Sequence, residues 1–235
     1  MVILSLLWLT VGSFLLPSQL PAAESAENTG RIHGHVTITR KLTSQRMRFR
    51  LYPGLKPQPP PSTTEISDDE RGNVVIYLRD APPTADASLE QVPEIRQQGE
   101  TFIPHTLPVV KGSTVEFPNQ DPIFHNVFSL SETRTFDLGR YPQGDSRSVT
   151  FDEPGIVAVF CHLHSNMSAT ILVLDNPFFA TPDSAGNYVI EGIPAGNYTL
   201  VGWHERSDPV EHQVTVLPGE SVDLDVVIPI EDKEQ

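Results

Sequence analysis

One cysteine, Cys161, is all the thiol that this chain of 235 residues possesses. A disulfide framework within the chain is therefore excluded, and so is any centre that needs two thiolates. Tryptophan and methionine are nearly as scarce, at two and three. Basic residues are outnumbered, with 16 Lys+Arg against 30 Asp+Glu and a formal net charge of −14. That balance disfavours nucleic acid and anionic membrane surfaces as partners and favours a protein with a basic face. A sustained helical period of useful length is also missing. Proline is plentiful instead, at 22, beside 15 glycines. This texture suits many short strands and turns, and the length suits one large or two modest domains.

The first residues carry an apolar run from Val2 to Leu16, then Pro17, then small residues at Ala22 and Ala23. This is the layout of a secretory signal peptide over 1–23, cut near Ala23, although no Lys or Arg precedes the run and Pro21 stands close to the cut. An uncleaved anchor is the alternative, but the run is shorter than the ~20 residues a bilayer span requires. The mature chain is expected to be periplasmic or secreted, with no membrane span. In an oxidising compartment a leftover thiol is buried and inert, bonded to another chain, or held by a metal.

From Gly30 the chain alternates, with Ile32, Gly34, Val36 and Ile38 on one face and Arg31, His33, His35, Thr37 and Thr39 on the other. "RMRFRLY" reads as a second strand, and the proline-rich acidic stretch after it reads as a surface loop. "NVVIYLRD" follows as a buried strand. From about Gln91, strand-like runs recur between turn residues: "TFIPHTLPVV", "KGSTVEFPN", "HNVFSL", "RTFDLGRY", "SRSVTF", "GIVAVFC" and "SATILVLD". Such spacing indicates an all-β sandwich or barrel. After Asp175 two Gly-Asn-Tyr units each open a strand. "HQVTVLPGESVDLDVVI" reads as a hairpin around Pro218-Gly219, and 231–235 form a charged tail.

Cys161 ends an apolar strand, His164 follows three residues later, and Met167 three after that. One short loop can turn a thiolate, an imidazole and a thioether toward one point. His125, at the start of "HNVFSL", is the best candidate for a further ligand. Two imidazoles and a thiolate with a weak axial methionine make up a blue-copper site, and soft sulfur selects copper over hard cations. A Cys–His hydrolase would need an orienting third group and an oxyanion hole, and no residues mark either. A binuclear copper centre would need a second cysteine. A multicopper oxidase would need paired histidine motifs, which eight scattered histidines do not supply.

On these residues, the stretch 91–175 resembles the cupredoxins, which are Greek-key β-sandwiches carrying one type 1 copper. "CHLHSNM" is similar to the contracted ligand loop of the amicyanin and pseudoazurin branch, and "FPNQDPIFHNVF" to the strand of the first histidine. The resemblance implies His125, Cys161, His164 and Met167 as ligands, with both histidines binding through Nδ1. It implies that Asn126 ties the two ligand segments together and that His164 is the electron port. Under an electron-transfer role, Ile123, Phe124 and Leu163 are expected to belong to the apolar docking patch around His164. His162, directly after the cysteine, departs from the family pattern. Solvent or a supporting role is expected for it, a structural role for His105, and a pairing with Glu205 for His204.

The stretch after Asp175 resembles carboxypeptidase-regulatory-like modules of the transthyretin type, on its D-x-x-G-x-Y turn, "IPAGNYTL" and "VTVLPGESVDLDVVI". The opening strands of such a module stand at "RIHGHVTI" and "GNVVIYL". The expected arrangement is one discontinuous sandwich from 30–85 and 176–230, with the cupredoxin inserted at 91–175. Three serial units are the alternative. Together the resemblances look like exported proteins labelled methylamine-utilisation-like. The implied role is one-electron transfer between partners such as a dehydrogenase and a c-type cytochrome, without enzymatic activity. A copper carrier or sensor whose second module docks a protein is the alternative.

Overall fold

The computed structural model describes residues 28–41, 68–83 and 92–231. The signal segment, "RMRFRLY", most of the proline-rich loop and the last residues of the tail lie outside them. The described part is all-β apart from short 3-10 segments, the longest at Asp68–Asn73.

Two sheets flank the chain's central segment in sequence. The first is built on β1 (Thr29–Lys41), which pairs antiparallel with β13 (Asn187–Pro194). Along its other edge β1 pairs parallel with β16 (Ser221–Asp223) and then β17 (Val226–Glu231). The second sheet has the order β12 (Phe179–Ala180), β2 (Val75–Leu78), β14 (Gly196–Trp203) and β15 (Val210–Val216). Period-2 alternation explains the core between them: Ile32, Val36 and Ile38 from β1 meet Ile76 and Leu78 from β2, with Leu200, Ile190 and Ile228. Strands from before and after the central segment thus share one core.

"HQVTVLPGESVDLDVVI" is not a hairpin. Leu217–Glu220 form a turn, Glu220 N–H donating to Leu217 C=O at 3.0 Å, but that turn carries the chain from one sheet to the other. β15 pairs with β14, whereas β16 and β17 pair with β1. A Cβ at Gly34 would lie 2.0 Å from the Leu224 carbonyl oxygen, so only glycine admits the irregular stretch between β16 and β17.

The central segment forms a five-stranded sheet in the order β5 (Thr106–Val110), β11 (Ser168–Leu174), β10 (Gly155–Phe160), β7 (His125–Leu130) and β8 (Thr135–Tyr141). Facing it are β6 (Ser113–Pro118) with β9 (Ser146–Phe151), and β3 (Arg96–Gln97) with β4 (Phe102–Ile103). "TFIPHTLPVV" is two strands, β4 and β5, which break at Pro104 and His105. Phe102, Phe117, Val127, Tyr141, Phe151, Val157 and Ile171 pack between the layers.

β11 is buried on both faces. Its Ala169, Ile171 and Val173 enter the central core, while Leu172 and Leu174 meet Val75 and Trp203 of the flanking sheet, with Tyr77 and Phe179 beside them. The apolar run "ILVL", with no polar alternation, is what a strand between two cores requires.

Candidate metal centre

Alternation along two antiparallel neighbours builds one end of the central sandwich. On β7, His125, Val127 and Ser129 point inward; on β10, Val157 and Val159 do, and Cys161 continues that face one residue past the strand. Phe128 faces Phe160 in the ladder on the outer side. Register thus places His125 and Cys161 together at the same end.

The loop from Cys161 to Met167 is closed by its own backbone. Cys161 N–H donates to Met167 C=O at 3.2 Å, and Met167 N–H donates to His164 C=O at 3.1 Å. His125, Cys161 and Met167 are buried, at 0%, 5% and 1% exposure, while His164 is half-buried. His125 Nδ1 and His164 Nδ1 are 3.0 Å apart, and the Cys161 sulfur stands 3.9 and 3.8 Å from them. These three form a group of metal-capable donors. A point equidistant from the corners of a triangle with these sides is about 2.1 Å from each, within the span of metal–imidazole and metal–thiolate bonds. Met167 packs in the same core cluster as Cys161. The donor set, one cysteine sulfur and two Nδ1 atoms at a largely buried strand end, fits a copper ion.

His125 is oriented by a residue that the sequence reading passed over. Its Nε2 lies 2.8 Å from Asp121 Oδ2. A carboxylate only accepts, so Nε2 carries the proton and Nδ1 turns its lone pair toward Cys161 and His164. Asp121 is itself held by the Gly99 N–H at 2.6 Å and the Glu100 N–H at 2.9 Å. Both residues have left-handed backbones, φ 65° and 56°, which aim the two N–H groups at one anion. Burial alone would raise the Asp121 carboxyl; the Glu100 and Gly99 N–H groups and His125 outweigh it and hold the group below its ordinary value. The available signal was Asp121 four residues before His125, which the turn-like "NQDP" disguised.

Asn126 links the segment of His125 to that of Cys161. Its Oδ1 accepts from His162 N–H at 3.3 Å and its Nδ2 donates to Asp137 at 2.7 Å. His162 turns outward and stacks on Phe128, with centroids 3.7 Å apart and an angle of 1° between planes. Ile123, Phe124 and Leu163 are exposed, at 39%, 56% and 37%. His204 pairs with Glu70 at 3.2 Å, not with Glu205, which instead meets His105 at 3.0 Å. The turn after β14 gives consecutive side chains different partners, and Arg206 N–H donates to His204 Nδ1 at 3.2 Å, holding the ring toward Glu70.

Neither a family model nor a curated protein matches the chain. Among solved structures it is similar to a purple cupredoxin from Nitrosopumilus maritimus, at 22% identity and TM-score 0.32, over 34% of this chain and 98% of that one. It is also similar to a methionine-to-alanine variant of amicyanin in its Cu(I) form, at 20% identity and TM-score 0.34, over 42% of this chain and 97% of that one. A copper-containing nitrite reductase from Thermus scotoductus aligns at 25% identity and TM-score 0.35, over 41% of this chain but only 26% of the reductase.

Proposed function

We propose that this chain is an exported mononuclear type 1 copper protein that carries single electrons between protein partners. The observation that supports the reading most is the convergence of the Cys161 sulfur with Nδ1 of His125 and of His164, at mutual distances of 3.0 to 3.9 Å, at a buried strand end. Bound there, copper would supply a one-electron couple between Cu(I) and Cu(II), which soft and borderline ligands together accommodate.

The residues around the site divide the remaining work. Asp121 holds the His125 tautomer, and Asn126 bonds to the backbone beside Cys161. Met167 would be the fourth residue holding the copper. The exposed Leu163, Ile123 and Phe124 are proposed to form the apolar docking patch around His164, suited to a brief encounter in which a partner's redox centre approaches closely. The net charge of −14 favours a partner with a basic face, such as a c-type cytochrome or a dehydrogenase. The flanking sheets are proposed to be the transthyretin-like module, with the copper sandwich inserted between its early and late strands.

The test is addition of one equivalent of Cu(II) to the metal-free chain, followed by transfer of one electron from a mild reductant. A strong visible thiolate-to-copper band, bleached by one electron per chain and restored by an oxidant, is the expected result. A chain that takes up Cu(II) without that band, or surrenders it at once to a weak chelator, overturns the reading.

A further inference from the structure

The strand leaving the ligand loop is held from outside by the flanking sandwich, and its first polar contacts are unlike ordinary packing. Ser168 follows Met167 directly and opens β11. Its carbonyl lies 3.1 Å from His105 Nδ1, and His105 Nε2 lies 3.0 Å from Glu205 Oε1, just past β14. The second oxygen of Glu205 accepts from the Thr170 hydroxyl at 3.3 Å, and Thr170 N–H donates to the His105 carbonyl at 2.7 Å.

Those partners decide the protonation of His105. A carbonyl and a carboxylate both only accept, whereas a neutral imidazole has a single N–H. Both bonds are made together only by the imidazolium. The neighbouring His204 shows the opposite case: it accepts a backbone N–H at Nδ1 and donates to Glu70 at Nε2, as a neutral ring does.

We propose that His105 and Glu205 are positioning residues through which the flanking sandwich holds the exit of the ligand loop, at the junction of Met167 and Ser168, and that His105 does so as a cation. The proposal rests on the copper reading only for what the loop holds. The bridge spans 100 residues of sequence and ends on the carbonyl next to a proposed ligand. Lys111–Asp175, at 2.8 Å, is an exposed ion pair at the opposite end of β11.

The charged groups facing His105 come from the flanking sandwich. Glu205 bonds to it directly, Glu70 acts at longer range, and Glu70 in turn bonds to His204 and Arg206. β11 contributes only the neutral Ser168 and Thr170. The bond to Glu205 raises the His105 value above its ordinary one, against the opposing effect of burial. The cation therefore persists through the unfolded histidine's range and is lost as pH rises through the folded value.

The test is amide hydrogen exchange on the metal-free full chain, read at Cys161, Met167 and Thr170, for His105→Gln, Glu205→Gln and the control Lys111→Gln. Both bridge variants should exchange about tenfold faster at those amides. Lys111→Gln, and the β6 and β9 amides in every variant, should be unchanged. In the parent chain the loop amides, corrected for intrinsic exchange, should loosen as pH rises through the His105 transition, and in Glu205→Gln at lower pH. Unchanged loop exchange in both bridge variants, or equal acceleration in β6 and β9, overturns the proposal. Copper uptake, measured separately, decides the other reading: a chain that takes up none while its loop responds as described keeps the positioning roles and loses the copper assignment.

Discussion

Replacing Asp121 by asparagine removes one charge and turns one of its acceptor atoms into a donor. In the parent chain Oδ1 accepts from Gly99 N–H, and Oδ2 accepts from both Glu100 N–H and His125 Nε2–H. The amide oxygen can keep only one of these positions. With the amide nitrogen at the other, its hydrogens confront either Gly99 N–H or the pair from Glu100 and His125. The relief available to His125 is to move its proton to Nδ1, which is the atom offered to the metal. Loss of an outer carboxylate on a metal-bound histidine costs ~10–100-fold in affinity, equivalent to ~1.4–2.7 kcal/mol. Folding stability should fall by ~1–3 kcal/mol for the unsatisfied donors. The assay is Cu(II) titration against a competing chelator, with far-ultraviolet circular dichroism to show that the sheets persist. A folded Asp121→Asn protein with the parent's affinity would refute the claim that Asp121 sets the tautomer.

Cys161→Ser should abolish the thiolate-to-copper band while the chain stays folded, because serine fills the same buried space; visible spectroscopy and a melting curve check both halves. Met167→Leu should leave copper bound and change the reduction potential, measured by protein-film voltammetry, because an axial thioether tunes potential more than affinity. Trp203→Ala, at the contact of the two cores, should lower stability by ~3–5 kcal/mol in a urea titration. The His105–Glu205 pair gives a pH signature of known sign. The raised His105 value adds stability that is present below the ordinary histidine value near 6.5 and lost as pH rises through the folded one. The Glu205 carboxyl, lowered chiefly by His105, adds stability that is present above the ordinary value near 4.5 and lost as pH falls through the folded one. The stability difference between the parent and Glu205→Gln should therefore be greatest between these ordinary values, and a difference independent of pH would count against the pair.

The alternation of Ile32, Val36 and Ile38 and the apolar "GIVAVFC" and "ILVL" runs were legible because burial on a strand leaves a period in the residues themselves. The spacing of Cys161, His164 and Met167 was legible because one loop carries all three. What stayed hidden depends on pairing between distant segments. His204 and Glu70 are 134 residues apart, and the adjacent Glu205, which looked like the nearer partner, reaches across to β11. Pro218-Gly219 carries a hairpin signal, but the strands after it pair with β1, nearly two hundred residues earlier, where Gly34 leaves room for Leu224. Asp121 was hidden for another reason: beside His125, its partners are the backbone N–H groups of Gly99 and Glu100, which carry no side-chain signature for a motif to mark.

The most direct measurement is the visible absorption and electron paramagnetic resonance spectrum of the chain with one equivalent of Cu(II). A trigonal set of His125, His164 and Cys161 should give an intense thiolate charge-transfer band and narrow copper hyperfine splitting, both lost in Cys161→Ser. Weak bands with ordinary wide splitting, unchanged by that substitution, would contradict the assignment of the strand end to a type 1 copper centre.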